Sequence, residues 1–529
     1  MKRIYKTFTL ALAAAMTLSS CSSDLLNEDP SNAITTDNVN STANNVSAVL
    51  MGAYDQTGHY LYLTLGQIGM DVMGDDAMIS SGAYGFSTYN WHVYSYQYIQ
   101  YANENNGWWS HYCEYMWRYA YTAINQCNNI IQNADNLPAG CEDYLAQAHG
   151  LRGWNFLNLY YLFCPAYNNP TLGGDNGKGL FLRLEPGSAD ASTDVDRSNL
   201  KASFDQIISD LTYAYDHCTA TSNQYINRRA AALLLARTYL EIDDYANASK
   251  YAEAAAANTF DGSNLMSREE WQSGFMTANS EWLWGFHFDN MSTNIYASIP
   301  SYWHMANSMD SKAVYGTKEY GTKVPGATLA DEIDYLKNNA VDYMNGYSDV
   351  RMASSFVNGL FKRNDEGVWT DCRALFPFYI NEKDGYIPAK FNNNGSLGIA
   401  DYPMARIAEA YLIESEAKYR QGDEATALKV LNALQEQRGG TVSTTVNIDE
   451  IWKERRRELY GEGRALGDLK RLQKPLERTG QDQWSSTKSL PANSPKMMYP
   501  IPDWELDYNP HYKTSTADYN RGQNDAWAR

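Results

Sequence analysis

Beyond its first twenty residues the chain has no apolar run approaching the ~18 residues of a membrane-spanning helix, so nothing downstream of the amino terminus reads as a span. Cysteine is sparse and unpatterned. Cys113, Cys127, Cys141, Cys164, Cys218 and Cys372 form no CxxC pair, which removes the usual zinc reading. Cys113 and Cys127 fall on one predicted helix, about 21 Å apart along its axis and out of reach of a mutual disulfide. All six read as buried thiols. His59, His92, His111, His149, His287 and His304 show no i, i+4 pairing, and HExxH, GxSxG and phosphate-loop signatures are missing. Neither a metal nor a cofactor is expected, and an enzyme is disfavoured. A glycosidase needs only two carboxylates, so counting acidic residues does not remove that class. Positive charge is also short. There are 43 Lys and Arg against 62 Asp and Glu, a net charge of −19, and loss of Lys2, Arg3 and Lys6 with a cleaved leader takes it to −22. That argues against nucleic acid and against a polybasic hold on anionic lipid.

What is present starts at the amino terminus. Lys2, Arg3 and Lys6 precede an apolar stretch over residues 7–17, then Leu18-Ser19-Ser20-Cys21. A basic start, a short apolar segment and small residues describe a secretory signal peptide. The last four resemble a bacterial lipobox, which would make Cys21 a lipidated first residue. Residues 21–36, with Asp24, Glu28, Asp29 and Pro30, read as a flexible tether.

Arg229 to Asn258 reads as two short helices around a turn at Ile242-Asp243-Asp244. Leu235, Ala236 and Tyr239 line one helix and Ala248, Ala252 and Ala255 the other, with the offsets of a tetratricopeptide hairpin. Residues 403–420 and 424–438 read as a second hairpin around Gly422-Asp423, with Ala427, Leu431 and Leu434 at the equivalent places. Further helices are predicted over 44–54, 109–130, 143–163 and 200–218, and over 448–460 with Asn447 as cap. Glu281 to Phe288 alternates like a strand, with Trp282 and Trp284 as core. Tyr499 to Pro502 reads as extended.

The aromatic balance is unusual: 41 Tyr and 14 Trp against 15 Phe. Tyr and Trp pair an apolar ring with a polar handle and suit wet binding surfaces. Two stretches lack helical period, Tyr89 to Tyr98 and Tyr296 to Trp303. Sugar rings offer apolar faces edged by hydroxyls, so Trp91 and Trp303 are candidate platforms, with Tyr89, Tyr94 and Tyr296 flanking. Asp71 and Asp75, read as part of a Gly-rich loop, are candidate hydroxyl acceptors.

These segments, in order, resemble the SusD/RagB family of outer-membrane lipoproteins. The markers are the lipobox, Leu151-Arg152-Gly153-Trp154, Asp210-Leu211, Arg229-Ala230-Ala231, Asp349-Val350-Arg351, Ala408 to Leu412, Glu454 to Leu459, Asp468 to Arg471 and Pro500-Ile501-Pro502. Gly461 departs from that pattern where an aromatic is common, and Ala465 where an Arg is common. The resemblance implies a mainly α fold, with tetratricopeptide-like hairpins, an irregular loop-rich ligand-binding part and a few short strands. It places a single domain over 37–529, with repeats about 108–258 and 402–472 and the loop-rich part about 60–107 and 259–400. It also implies a non-enzymatic glycan-binding protein that delivers ligand to a SusC-like TonB-dependent transporter, lipid-anchored at the outer membrane and facing the cell exterior. A peptide-binding lid of the same transporter type is the alternative.

Overall fold

The two alanine-rich hairpins lie side by side at the centre of the helical part. The structure is a computed structural model and describes residues 36–74, 76–79, 112–187, 195–272, 274–275, 277–288 and 400–478, residues 487–502, 505 and 509, and short pieces at 307–310, 351, 361–363, 369–371, 385–386 and 389–391. Its longer helices are α1 Ala43–Gly58, α2 Tyr60–Met73, α3 Tyr112–Ile131, α4 Glu142–Phe163, α5 Leu200–His217, α6 Arg228–Glu241, α7 Tyr245–Ala255, α8 Ile407–Arg420, α9 Glu424–Gln437, α10 Ile448–Leu459 and α11 Ala465–Arg471, and a single turn of helix covers Arg268–Gln272. The fold is mainly helical, as the sequence implies, with short strands added.

Local chemistry explains the hairpins. The Asn227 side chain accepts from the backbone N–H of Arg229 and Ala230, which starts α6. Asp243 takes a left-handed turn at φ 60°, and Asp244 then caps α7 by accepting from Asn247. Ala236, Ala248, Ala252 and Ala255 are fully buried, because small side chains let α6 and α7 approach closely. Tyr239 and Tyr251 stack across the pair at 5.5 Å. The second hairpin repeats the scheme. Gly422 turns at φ 85°, Asp423 caps α9, and Ala427, Leu431 and Leu434 are fully buried. α7 packs on α8, so the hairpins form one layer, which α5, α4, α3 and α1 extend in turn.

Two expectations are corrected. Residues 403–406 are not the start of a helix. They belong to a strand, Tyr402–Arg406, antiparallel to Trp282–Phe286, with Trp282 opposite Arg406 and Phe286 opposite Tyr402. All five residues are buried, and a short apolar run reads alike as buried strand or buried helix. Residues 60–73, placed in the loop-rich part, form α2. Its glycines serve close packing: a Cβ on Gly66 would meet Met116 Sδ at 3.0 Å, and one on Gly74 would meet Ala465 Cβ at 2.3 Å. Cys113, Cys127, Cys141, Cys164 and Cys218 are buried free thiols, as expected; Cys372 lies outside the described residues. Among the described residues no helix is long and apolar enough to cross a membrane.

Candidate functional site

One aromatic surface among the described residues sets an exposed guanidinium over two tyrosine rings. α1 ends at His59, whose φ of −59° and ψ of 132° leave the helical region. His59 also caps α2, its Nδ1 accepting from Leu61 N–H at 3.3 Å. The neutral ring therefore carries its proton on Nε2, which faces Tyr119 Oη at 3.3 Å. Burial holds the imidazole below its usual range, and the Arg118 guanidinium adds to that against the pull of Asp55. The ring stacks on Tyr60 at 4.7 Å and on Tyr119 at 4.2 Å. Helical spacing along α3 then sets Tyr115, Arg118 and Tyr119 on one face. The Arg118 guanidinium lies 5.7 Å from the Tyr115 ring centroid and 5.1 Å from that of Tyr119. Arg118 is exposed, while His59, Tyr60 and Tyr115 are half-buried.

The second charge-rich place is interior. Arg406, at the end of its strand, reaches Glu281 at 2.8 Å, Glu458 at 3.0 Å and Glu462 at 2.6 Å. Arg438 meets Glu281 at 2.5 Å and Glu458 at 3.0 Å. Lys390 meets Glu462, and Arg351 meets Glu454, each at 2.5 Å. Burial alone would raise the Glu458 carboxyl, but Arg438, Arg406 and Arg351 outweigh it and hold it far below the usual range. Burial pulls the Lys390 ammonium down to about 8 despite Glu462. The run Glu454-Arg455-Arg456-Arg457-Glu458 of α10 is thus a fastening. Arg455 holds Asp468 at 2.8 Å, Arg456 holds Asp76 at 2.5 Å and Arg457 holds Glu454 at 3.0 Å.

Of the predicted site residues, the structure describes Asp71. It is fully buried on α2, so its assignment as a hydroxyl acceptor in a Gly-rich loop is corrected. Its oxygens accept from the backbone N–H of Gly463, Arg464 and Ala465 at 3.0, 3.0 and 3.2 Å, anchoring the start of α11. Burial, aided by Asp76, pushes its pKa up to about 7 against those donors. Trp91, Trp303, Tyr89, Tyr94, Tyr296, Asp75 and Cys21 lie outside the described residues. Trp282 and Trp284 are buried core, as expected. Among the described residues no group of His, Cys, Asp and Glu could hold a metal ion. Sequence reasoning missed the Tyr60–Tyr115–Arg118 surface, although the i, i+3, i+4 spacing of Tyr115, Arg118 and Tyr119 was there to be read.

A family model described as SusD family matches residues 378–519. A second, described as starch-binding associating with outer membrane, matches residues 24–240. The chain belongs to the SusD/RagB family. SusD-like protein P38 of Formosa agariphila is 22% identical over 408 residues, 69% of this chain and 74% of that one. The starch-binding protein SusD of Bacteroides thetaiotaomicron is 43% identical over 114 residues, 21% of this chain and 20% of that one. A crystal structure of a SusD superfamily protein from Bacteroides thetaiotaomicron superposes with TM-score 0.67 at 22% identity, covering 89% of this chain and 98% of that chain. A laminarin-binding SusD-like protein superposes with TM-score 0.57 at 19% identity, covering 88% of this chain and 97% of that chain. The two solved structures share the fold. Gly461, where the family pattern commonly has an aromatic, turns at φ 80°, and Phe391 from a distant segment fills the space that its Cβ would take.

Proposed function

We propose that this protein is a glycan-binding lipoprotein of the outer membrane that hands oligo- or polysaccharide to a partner TonB-dependent transporter. The observation that carries the reading is the match of residues 24–240 to the family described as starch-binding associating with outer membrane. The starch-binding relative and the laminarin-binding neighbour support the same ligand class. The excess of Tyr and Trp suits a ligand with apolar ring faces and hydroxyl edges. Trp91 and Trp303 serve as platforms in this reading, with Tyr89, Tyr94 and Tyr296 beside them and Asp75 as an acceptor. Cys21 carries the acyl chains, and the body faces the cell exterior. The protein binds and does not turn over its ligand. The repeat layer holds a groove of about 450 Å3 between α7, α8 and α9, lined by Glu253, Phe260, Glu414, Lys418 and Val430. A peptide ligand would use a surface of that kind.

Electrophoresis of the purified mature protein through gels loaded with different polysaccharides, beside a peptide panel, tests the ligand class. Retardation by at least one glycan is expected, and Trp91→Ala and Trp303→Ala should each weaken it tenfold or more with little change in melting temperature. Binding of peptides with no glycan retained would overturn the reading. So would turnover that disappears on substitution of a single carboxylate.

A further inference from the structure

We propose that the ridge of Tyr60, Tyr115 and Arg118 is a subsite for an anionic sugar, one bearing a carboxylate or a sulfate, within a longer glycan. The inference rests on the glycan-binding reading and specifies a ligand chemistry for a surface outside the Trp91 and Trp303 loops.

Charge is the first argument. The chain carries a net −19, so a polyanion is repelled unless a local cation meets it. Some exposed cations are paired, as Lys201 is with Asp205 at 2.6 Å and Lys453 with Glu450 at 2.8 Å. Arg228 and Lys250 lie over Tyr215 and Tyr251 without a carboxylate partner among the described residues, but each over a single ring. Arg118 has no carboxylate partner among the described residues. Its one hydrogen bond there is to Tyr119 Oη at 3.4 Å, a long and weak one. Asp55 and Glu114 flank the ridge, one on α1 and one on α3, and neither bonds to the guanidinium.

Geometry is the second. The guanidinium lies over two tyrosine rings, which hold the fork in place before a ligand arrives. A planar fork matches a carboxylate or sulfate edge with two parallel hydrogen bonds. Tyr115 sits one helical turn before Tyr119, and Tyr60 joins the same cluster through the His59 ring, so apolar ring faces lie next to the charge. His59, locked by Leu61 N–H and stacked between Tyr60 and Tyr119, fixes the spacing of the rings. A sugar ring lying on tyrosine and an acidic substituent on Arg118 use both features at once.

The test uses the purified mature protein and calorimetric titration with three probes: oligogalacturonate, a sulfated galactan oligosaccharide and laminarin oligosaccharide. At least one acidic probe should bind more tightly than laminarin, and the preference should shrink as salt rises. Arg118→Met should weaken the acidic probe about tenfold, with laminarin affinity and melting temperature unchanged. Arg118→Lys should fall between, since an ammonium keeps the charge and loses the fork. The uronate and sulfate arms tell which acid is taken. Acidic probes binding no better than laminarin, or an Arg118→Met variant that keeps full affinity for them, would overturn the subsite and leave glycan binding standing. Failure of all three probes alongside binding in the peptide panel would sink the broader reading as well.

Discussion

Replacing Arg438 with Met tests whether the interior ion network acts as one electrostatic unit. Arg438 is 1% exposed. It donates to Glu458 at 3.1 and 3.0 Å, to Glu281 at 2.5 Å and to the Met266 carbonyl at 3.1 Å, and it lies over the Trp271 ring at 4.9 Å. Methionine keeps most of the apolar contact with Trp271 and removes the charge. Breaking a buried pair from one side costs about 3–5 kcal/mol, because the abandoned carboxylates stay desolvated. A cycle isolates the electrostatic part. In the Arg438→Met, Glu281→Gln double variant, Arg351, Lys390 and Arg406 again balance Glu454, Glu458 and Glu462. It should therefore be more stable than the two single losses predict, by about 1–3 kcal/mol. Arg438→Lys should fall between Met and wild type, because an ammonium cannot grip Glu458 with a fork. Urea unfolding, with midpoints compared at constant slope, reads all four variants. A single-variant loss under about 1 kcal/mol, or strict additivity of the pair, would refute the idea of a mutually dependent network.

Gly461→Ala should lose about 2–4 kcal/mol by denaturant unfolding, since a side chain is strained at φ 80° and its Cβ would meet Phe391 Cε2 at 2.3 Å. Adding Phe391→Leu should recover part of that loss. Burial lifts the Glu241 carboxyl from 4.5 to about 7, so its contribution to stability is full below pH 4.5 and is lost as pH rises to about 7. Glu241→Gln should consequently gain on the wild type in melting temperature between those pH values, and a constant difference in calorimetry would contradict the assignment. Cys21→Ala should leave the outer-membrane fraction in cells lacking the partner transporter, because stable anchoring needs more than one acyl chain; retention there would count against lipidation.

The sequence by itself determined most of the long helices and several of their ends. Helical period and caps are local, so α4, α5, α6 and α9 fall within about two residues of their predicted bounds, α7 ends three residues early at Ala255, and Asn447 starts α10 as expected, accepting from the backbone N–H of Glu450. Small residues at the hairpin crossings identified the close pair α6 and α7, and the ordered markers identified the family. The candidate site was less legible. Asp71 stood among glycines that punctuate loops elsewhere, and only the fold shows those glycines admitting Met116 and Ala465 against α2. The strand at Tyr402–Arg406 needed its partner at Trp282–Phe286, because backbone pairing between segments far apart in the chain leaves no local period. Tertiary structure alone decided which charges face water. Glu281, Arg406, Arg438 and Glu458 look like surface residues in sequence, yet they meet in the interior, where each satisfies another's charge. Arg118 looks no different from them in sequence, and the packing of α1, α2 and α3 leaves it outside on its tyrosines. Pairing is a property of three-dimensional neighbours, so a list of residues cannot distinguish a buried ion from an available one.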